Sequence, residues 1–120
     1  MIELIDKING FKYLKKNWDS YDADPISEIA IIKSLEIVSY IKDFKNLYKI
    51  SVFPMRNGGI QFEFDADINI ELEVVSNGEL IIKIYDILGN ILTTDFFSEI
   101  STIKTLMNKN DDREILHPFN

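Results

Sequence analysis

The side chains best suited to chemistry in this sequence are carboxylates, and they fall into two groups. Asp19, Asp22 and Asp24 stand with Trp18 and Tyr21 in the stretch from Trp18 to Pro25. Gln61, Glu63, Asp65, Asn69, Glu71 and Glu73 recur at alternate positions of two neighbouring segments. Paired carboxylates can share the work of general acid and base, or hold a divalent cation. Acidic groups interleaved with aromatics suit a different task, the anchoring of another protein, because Trp and Tyr carry much interface energy. The sequence favours the second chemistry. The loop aspartates lack the glycine and the closing glutamate of an EF-hand. Around the strand carboxylates Ile81 is the one apolar neighbour predicted, too little to raise the pKa of one member of a pair. His117, the single histidine, precedes Pro118 with no nucleophile beside it, so no triad is predicted. Gly58-Gly59 lacks the Lys-Ser/Thr and the following helix of a phosphate loop. The expectation is no catalytic residue, no metal and no cofactor. The candidate partner-binding residues are Trp18, Asp19, Tyr21, Gln61, Glu63, Glu71 and Glu73. Against this stands a structural reading: Trp18 plugs a gap between helices, and the strand carboxylates form an ordinary solvated face.

Composition narrows the kind of partner. Of 120 residues, 46% are apolar and 28% charged, enough to build one core without staples. Cys is absent, which removes disulfides, thiolate zinc sites and cysteine nucleophiles. Glu3, Asp6 and Lys7 interrupt the N-terminal apolar residues, and nowhere do about 18 uncharged apolar residues run together. No membrane association is predicted, and a cytoplasmic location is expected. The net charge of −7 is unevenly placed: residues 1–60 carry +1 and residues 61–120 carry −8. Such a surface repels phosphate backbones, so nucleic acid is not the expected ligand, whereas a basic protein would be steered in.

Two helices and a sheet must position these groups. Leu4, Ile8, Phe11 and Leu14 share one face of a helix over residues 2–16, with Gly10 as a weak point. Ser27 predicts the N-cap of a second helix, Glu28 suits its first turn, and Ile26 can staple onto Ile31. That helix carries apolar strips at Ala30, Ile37, Ile41, Phe44 and at Ile31, Leu35, Val38, so it should pack on two sides. From Leu47 the period becomes two: Tyr48, Ile50, Val52; Ile60, Phe62, Phe64; Ile68, Ile70, Leu72, Val74; Leu80, Ile82, Ile84. Arg56-Asn57-Gly58 and Ser76-Asn77-Gly78 predict three-residue hairpin loops with a left-handed glycine, since a two-residue turn at Asn77-Gly78 would set opposite faces together. The resulting register puts Val52 across from Phe62, Val74 from Leu80, and Glu71 from Lys83. A turn at Leu88-Gly89-Asn90 leads to a fifth strand, Ile91 to Phe96. Ser98 then caps a last helix through Ile100, Ile103, Leu106 and Met107, and residues 108–120 form a partly ordered tail containing Ile115, Leu116 and Phe119.

The chain thus reads as one α+β domain over residues 1–120: two N-terminal helices, a five-stranded antiparallel meander with helix 2 on its apolar face, and a C-terminal helix. Three segments resemble a loosely defined group of small bacterial and phage-associated proteins without an assigned function. They are N-W-D-S-Y-D-A-D-P-I-S at 17–27, G-G-I-Q-F-E-F at 58–64 and I-E-L-E-V at 70–74. That group commonly has Gly where Asp22 stands here and often Trp where Phe64 stands. The resemblance implies no reaction or cofactor, and it singles out the same residues as the acidic-aromatic pattern. The expected function is an acidic protein-binding module of the antitoxin, immunity or phage–host conflict kind, acting on a basic partner. Two alternatives are a carboxylate-dependent hydrolase using Glu63 with Glu71 or Glu73, and a structural subunit.

Overall fold

The computed structural model describes residues 2–42, 49–65, 69–97 and 99–103. Helix α1 (Ile2–Gly10) runs into a 3-10 turn (Phe11–Tyr13), and helix α2 (Glu28–Ile41) follows a long loop. Five strands come next: β1 (Lys49–Pro54), β2 (Ile60–Asp65), β3 (Asn69–Val74), β4 (Leu80–Tyr85) and β5 (Ile91–Phe97). They form one antiparallel sheet in the order β1-β2-β3-β4-β5. A last helical turn occupies residues 101–103. The expected cap at Ser98, the helical positions Leu106 and Met107, the tail with His117, and Phe44, Tyr48 and Ile68 lie outside the described residues.

Alternation dictates the sheet. Val52, Phe62, Leu72 and Ile82 face one another across four strands, as do Ile50, Phe64, Ile70 and Ile84. All but Ile50 in these two rows are buried, and the Phe62 and Phe64 rings stack at 5.8 Å. Ile60, Val74 and Leu80 make a third buried row. The hairpins that hold this register share one geometry. Gly58, Gly78 and Gly89 have φ of +88°, +94° and +88°. In each loop the glycine amide donates back to the residue three before it, at Met55, Val75 and Asp86. Those residues in turn pair with Gly59, Glu79 and Asn90. Both expected glycine-bulge loops are therefore present, and Asp86 to Asn90 repeats the device between β4 and β5, where a register shift falls at Ile84/Tyr85.

Helix α2 covers β2 and β3, with Ala30, Ile31, Ile37, Val38 and Ile41 buried, and α1 packs on α2 and on β1. Ser27 caps it, its side chain accepting from the Ala30 amide at 3.0 Å. Ile26 and Ile31, the two ends of the expected staple, are both buried in the core. Helix α1 is shorter than the predicted 2–16. Gly10 ends its α-helical hydrogen bonding, and the chain tightens into the 3-10 turn closed by the Leu14 amide on Phe11 O at 3.1 Å. The predicted apolar face survives the change, since Ile8 and Phe11 are buried and Leu4 and Leu14 pack against them. Ile103 closes the core from the C-terminal turn.

Two substitutions test this core. Leu72 is fully buried at the sheet centre, so Leu72→Ala should cost about 2–5 kcal/mol in denaturant unfolding. Ser34 is also fully buried, and its hydroxyl has no hydrogen-bond partner. Ser34→Ala should raise stability by about 1 kcal/mol, because it removes an unsatisfied polar atom and adds a better helix former.

Candidate protein-binding surfaces

The first candidate region, the loop from Asn17 to Ser27, is organised by its own polar groups. Asp19 Oδ1 accepts from the amides of Tyr21 at 2.8 Å and Ala23 at 3.1 Å. Its Oδ2 lies 2.8 Å from Arg56 Nε. Arg56 Nη2 also donates to the Tyr21 carbonyl, and the guanidinium carbon is 5.9 Å from the centre of the Tyr21 ring. Partial burial tends to raise the Asp19 pKa, but the two amides and the Arg56 charge outweigh it and hold the carboxyl below its ordinary value. Trp18 is half-buried against the core and donates Nε1–H to Asp24 O at 2.7 Å. Its ring thus packs against the core while its N–H anchors the loop. Tyr21 keeps its side chain 73% exposed.

Three non-glycine residues here, Asn17, Ser20 and Asp22, have φ near +66° to +69°. The left-handed φ at Asp22 is one that glycine adopts without steric cost. The three aspartates do not converge. Asp19 turns to Arg56, while Asp22 and Asp24 flank Lys16 at 3.3 and 3.0 Å, and no metal-like cluster occurs among the described residues.

The loop is stapled to the sheet at the end where the first and third hairpins turn. The Asp24 amide donates to Arg56 O at 2.8 Å, the Ser27 amide to Gly58 O at 2.9 Å, and Ser27 Oγ to Ser76 O at 2.8 Å. Close approach requires the glycine pair: a Cβ on Gly58 would stand 3.1 Å from Pro25 O, and one on Gly59 2.5 Å from Val74 O.

The second candidate region is the sheet face that the helices leave open. Gln61 stands across from Glu73, and Glu63 across from Glu71. Gln61 Nε2 donates to Glu63 Oε1 at 3.2 Å, and Asn57 Nδ2 to Glu73 Oε2 at 3.4 Å. Lys83 faces Glu71 in the predicted register, yet no ion pair forms on this face among the described residues. Glu71 instead accepts from Tyr85 Oη at 3.4 Å. Burial first, then the Glu71 charge and this bond, push the Tyr85 phenol above its ordinary pKa, so it serves as a donor. Gln61, Glu71, Glu73, Ile81 and Lys83 line a depression of about 40 Å³. The face is less uniformly polar than alternation predicted. Phe53 lies across from Gln61, and Phe96 across from Ile81. Strict alternation from Val52 places Phe53 outward, so that signal was in the sequence; the outward turn of Phe96 depends on the β4–β5 register shift and had none. Arg56 was also missed, because as a hairpin residue it carries no local sign of its distant partners.

No family model matches the chain, and no curated protein or solved structure matches it either.

The pH dependence of stability isolates Asp19. A carboxyl whose pKa is lower folded than unfolded stabilises the fold above its unfolded value, about 4 for Asp, and loses that contribution as pH falls through the folded value. Asp19→Asn should lower the melting temperature at neutral pH, and the gap from wild type should close on acidification below about pH 4. Asp86, also shifted down by its bonds from Asn90, acts alike in both proteins and cancels in the comparison.

Proposed function

We propose that the chain is a small acidic protein-binding module whose open sheet face receives a basic protein, in the manner of an antitoxin, immunity or phage–host conflict protein. One observation carries the reading: Glu63 and Glu71 stand directly opposite each other, with Glu73 and Asp65 beside them. Like charges in cross-strand register oppose folding, and among the described residues no salt bridge forms with these carboxylates, although Lys83 stands across from Glu71 and Lys49 across from Asp65. A cation brought by a partner relieves that repulsion further on binding. The rigid sheet holds the carboxylates in place before the encounter, and their summed field steers a basic surface toward them. The biological class rests on analogy, since small size, acidity and missing nucleophiles suit inhibitors of basic effectors.

The geometry favours the hydrolase alternative less. Substrate clefts usually enclose about 300–1,000 Å³, whereas the depression among the face carboxylates holds about 40 Å³. That volume suits the tip of one basic side chain.

The test begins with a partner captured by the immobilised chain, whose affinity is then measured at low and high salt. Binding should weaken steeply with salt, because exposed charges are screened within about 8 Å at physiological ionic strength. The double reversal Glu63→Lys/Glu73→Lys should weaken it by about tenfold or more, equivalent to about 1.4 kcal/mol. An affinity indifferent to both salt and reversal would remove this face from consideration.

A further inference from the structure

The two edges of the sheet are finished differently. Along β1, helix α1 packs beside the strand, Lys7 Nζ lies 5.2 Å from the centre of the Phe53 ring, and Pro54 ends the strand without an amide proton. These are the devices that keep an edge from pairing with another chain. Strand β5, the opposite edge, pairs with β4 and carries neither Lys nor Pro. Three of its apolar side chains face solvent: Ile91 is 58% exposed, Leu92 44% and Phe96 71%, and Ile87 and Leu88 in the preceding turn are exposed as well.

We infer that this edge is a self-association surface, with β5 of one copy pairing antiparallel to β5 of a second copy about a two-fold axis. Charge selects the occupant. The chain carries −7 overall, but β5 contains one charged residue, Asp95. This nearly neutral edge is where two acidic copies meet with little repulsion, whereas a basic protein is drawn to the carboxylates of the open face. The sequence of the strand also fits itself. Side chains directly opposite in a sheet must point to the same face, so the axis passes through a single residue position. An axis at Asp95 would set the two aspartates against each other. An axis at Thr94 sets Phe96 against Leu92, with each Asp95 across from position 93. The pairing buries backbone donors and acceptors that β5, among the described residues, leaves at the edge. It also joins two five-stranded sheets with their open faces on the same side, so the acidic surface is doubled around an apolar seam of Phe96 and Leu92. The inference does not rest on the proposed function and stands if no basic partner exists.

Sedimentation equilibrium of the full chain, over a range of concentrations at low and high salt, tests it. The expected result is a dimer that strengthens with added salt, as screening relieves the repulsion between acidic copies. That response is opposite in sign to the one expected for a basic partner, so the two readings can fail separately. Phe96→Lys should yield a monomer with the wild-type melting curve. Leu92→Lys, at the facing position, should do the same and serves if the first variant fails to fold. A monomer at every concentration and both salts overturns the inference, as does a dimer that survives both lysine variants.

Discussion

Ser27 gives its hydroxyl oxygen to the Ala30 amide, its hydroxyl proton to Ser76 O and its backbone amide to Gly58 O. The first of these bonds starts α2, and the other two tie that start to the third and first hairpins. A helix N-terminus leaves amides without intrahelical partners, and hairpin tips leave carbonyls pointing out of the sheet. One side chain satisfies both needs, and it does so at a distance that fixes the helix over β2 and β3. The remaining geometry follows from that constraint. The loop ahead of Ser27 must come down on the hairpin tips, so Gly58 must lack a side chain where Pro25 O approaches. Trp18 packs against the core, Ala23 is buried, and Arg56 bridges back to Asp19.

Much of this fold was legible because its determinants are local and periodic. Period-two alternation names the buried rows, and the glycine three residues into each hairpin fixes the register within one possibility, as Val52–Phe62 and Val74–Leu80 show. The cap at Ser27 was readable for the same reason, since a cap is a relation between near neighbours. What escaped depends on residues distant in sequence or on the competition of weak preferences. Arg56 meets Asp19 across 37 positions of the chain, and nothing around either residue announces the other. Helix α1 stopped short of its predicted end because the cost of Gly10 competes with an apolar face that a 3-10 turn satisfies equally well. The opposition of Glu71 and Lys83 was read correctly as register but not as contact, for the nearer Tyr85 hydroxyl takes the carboxylate.

The open face is where local rules and folding stability part company. A sheet designed only to fold would place a lysine across from Glu63; this one places Glu71 there. The cost of like-charge opposition is a few tenths to about 1 kcal/mol, small against a core that spans three buried rows, and so it can be retained. Its position matters as much as its sign. β2 and β3 lie in the interior of the sheet and carry α2 on their other face, which makes them the strands least free to move. Carboxylates held there keep their spacing without a partner, and rigid presentation of charge lowers the ordering cost of binding.

The two surfaces chosen from sequence prove to be one mechanical unit. Trp18 bonds Asp24 O, the Asp24 amide bonds Arg56 O, and the next residue, Asn57, reaches Glu73 Oε2 at 3.4 Å while its Oδ1 holds the Gly59 amide at 3.0 Å. The path runs from the aromatic loop, through the hairpin tip, to the acidic row. It joins the three segments at 17–27, 58–64 and 70–74. Most of the loop motif is then spent on seating the hairpin, which sets the register of β1 on β2. Asp19, spent on two loop amides and on Arg56, positions the loop, whereas Tyr21 is the aromatic ring of this segment that stays mostly in solvent, against the Arg56 guanidinium.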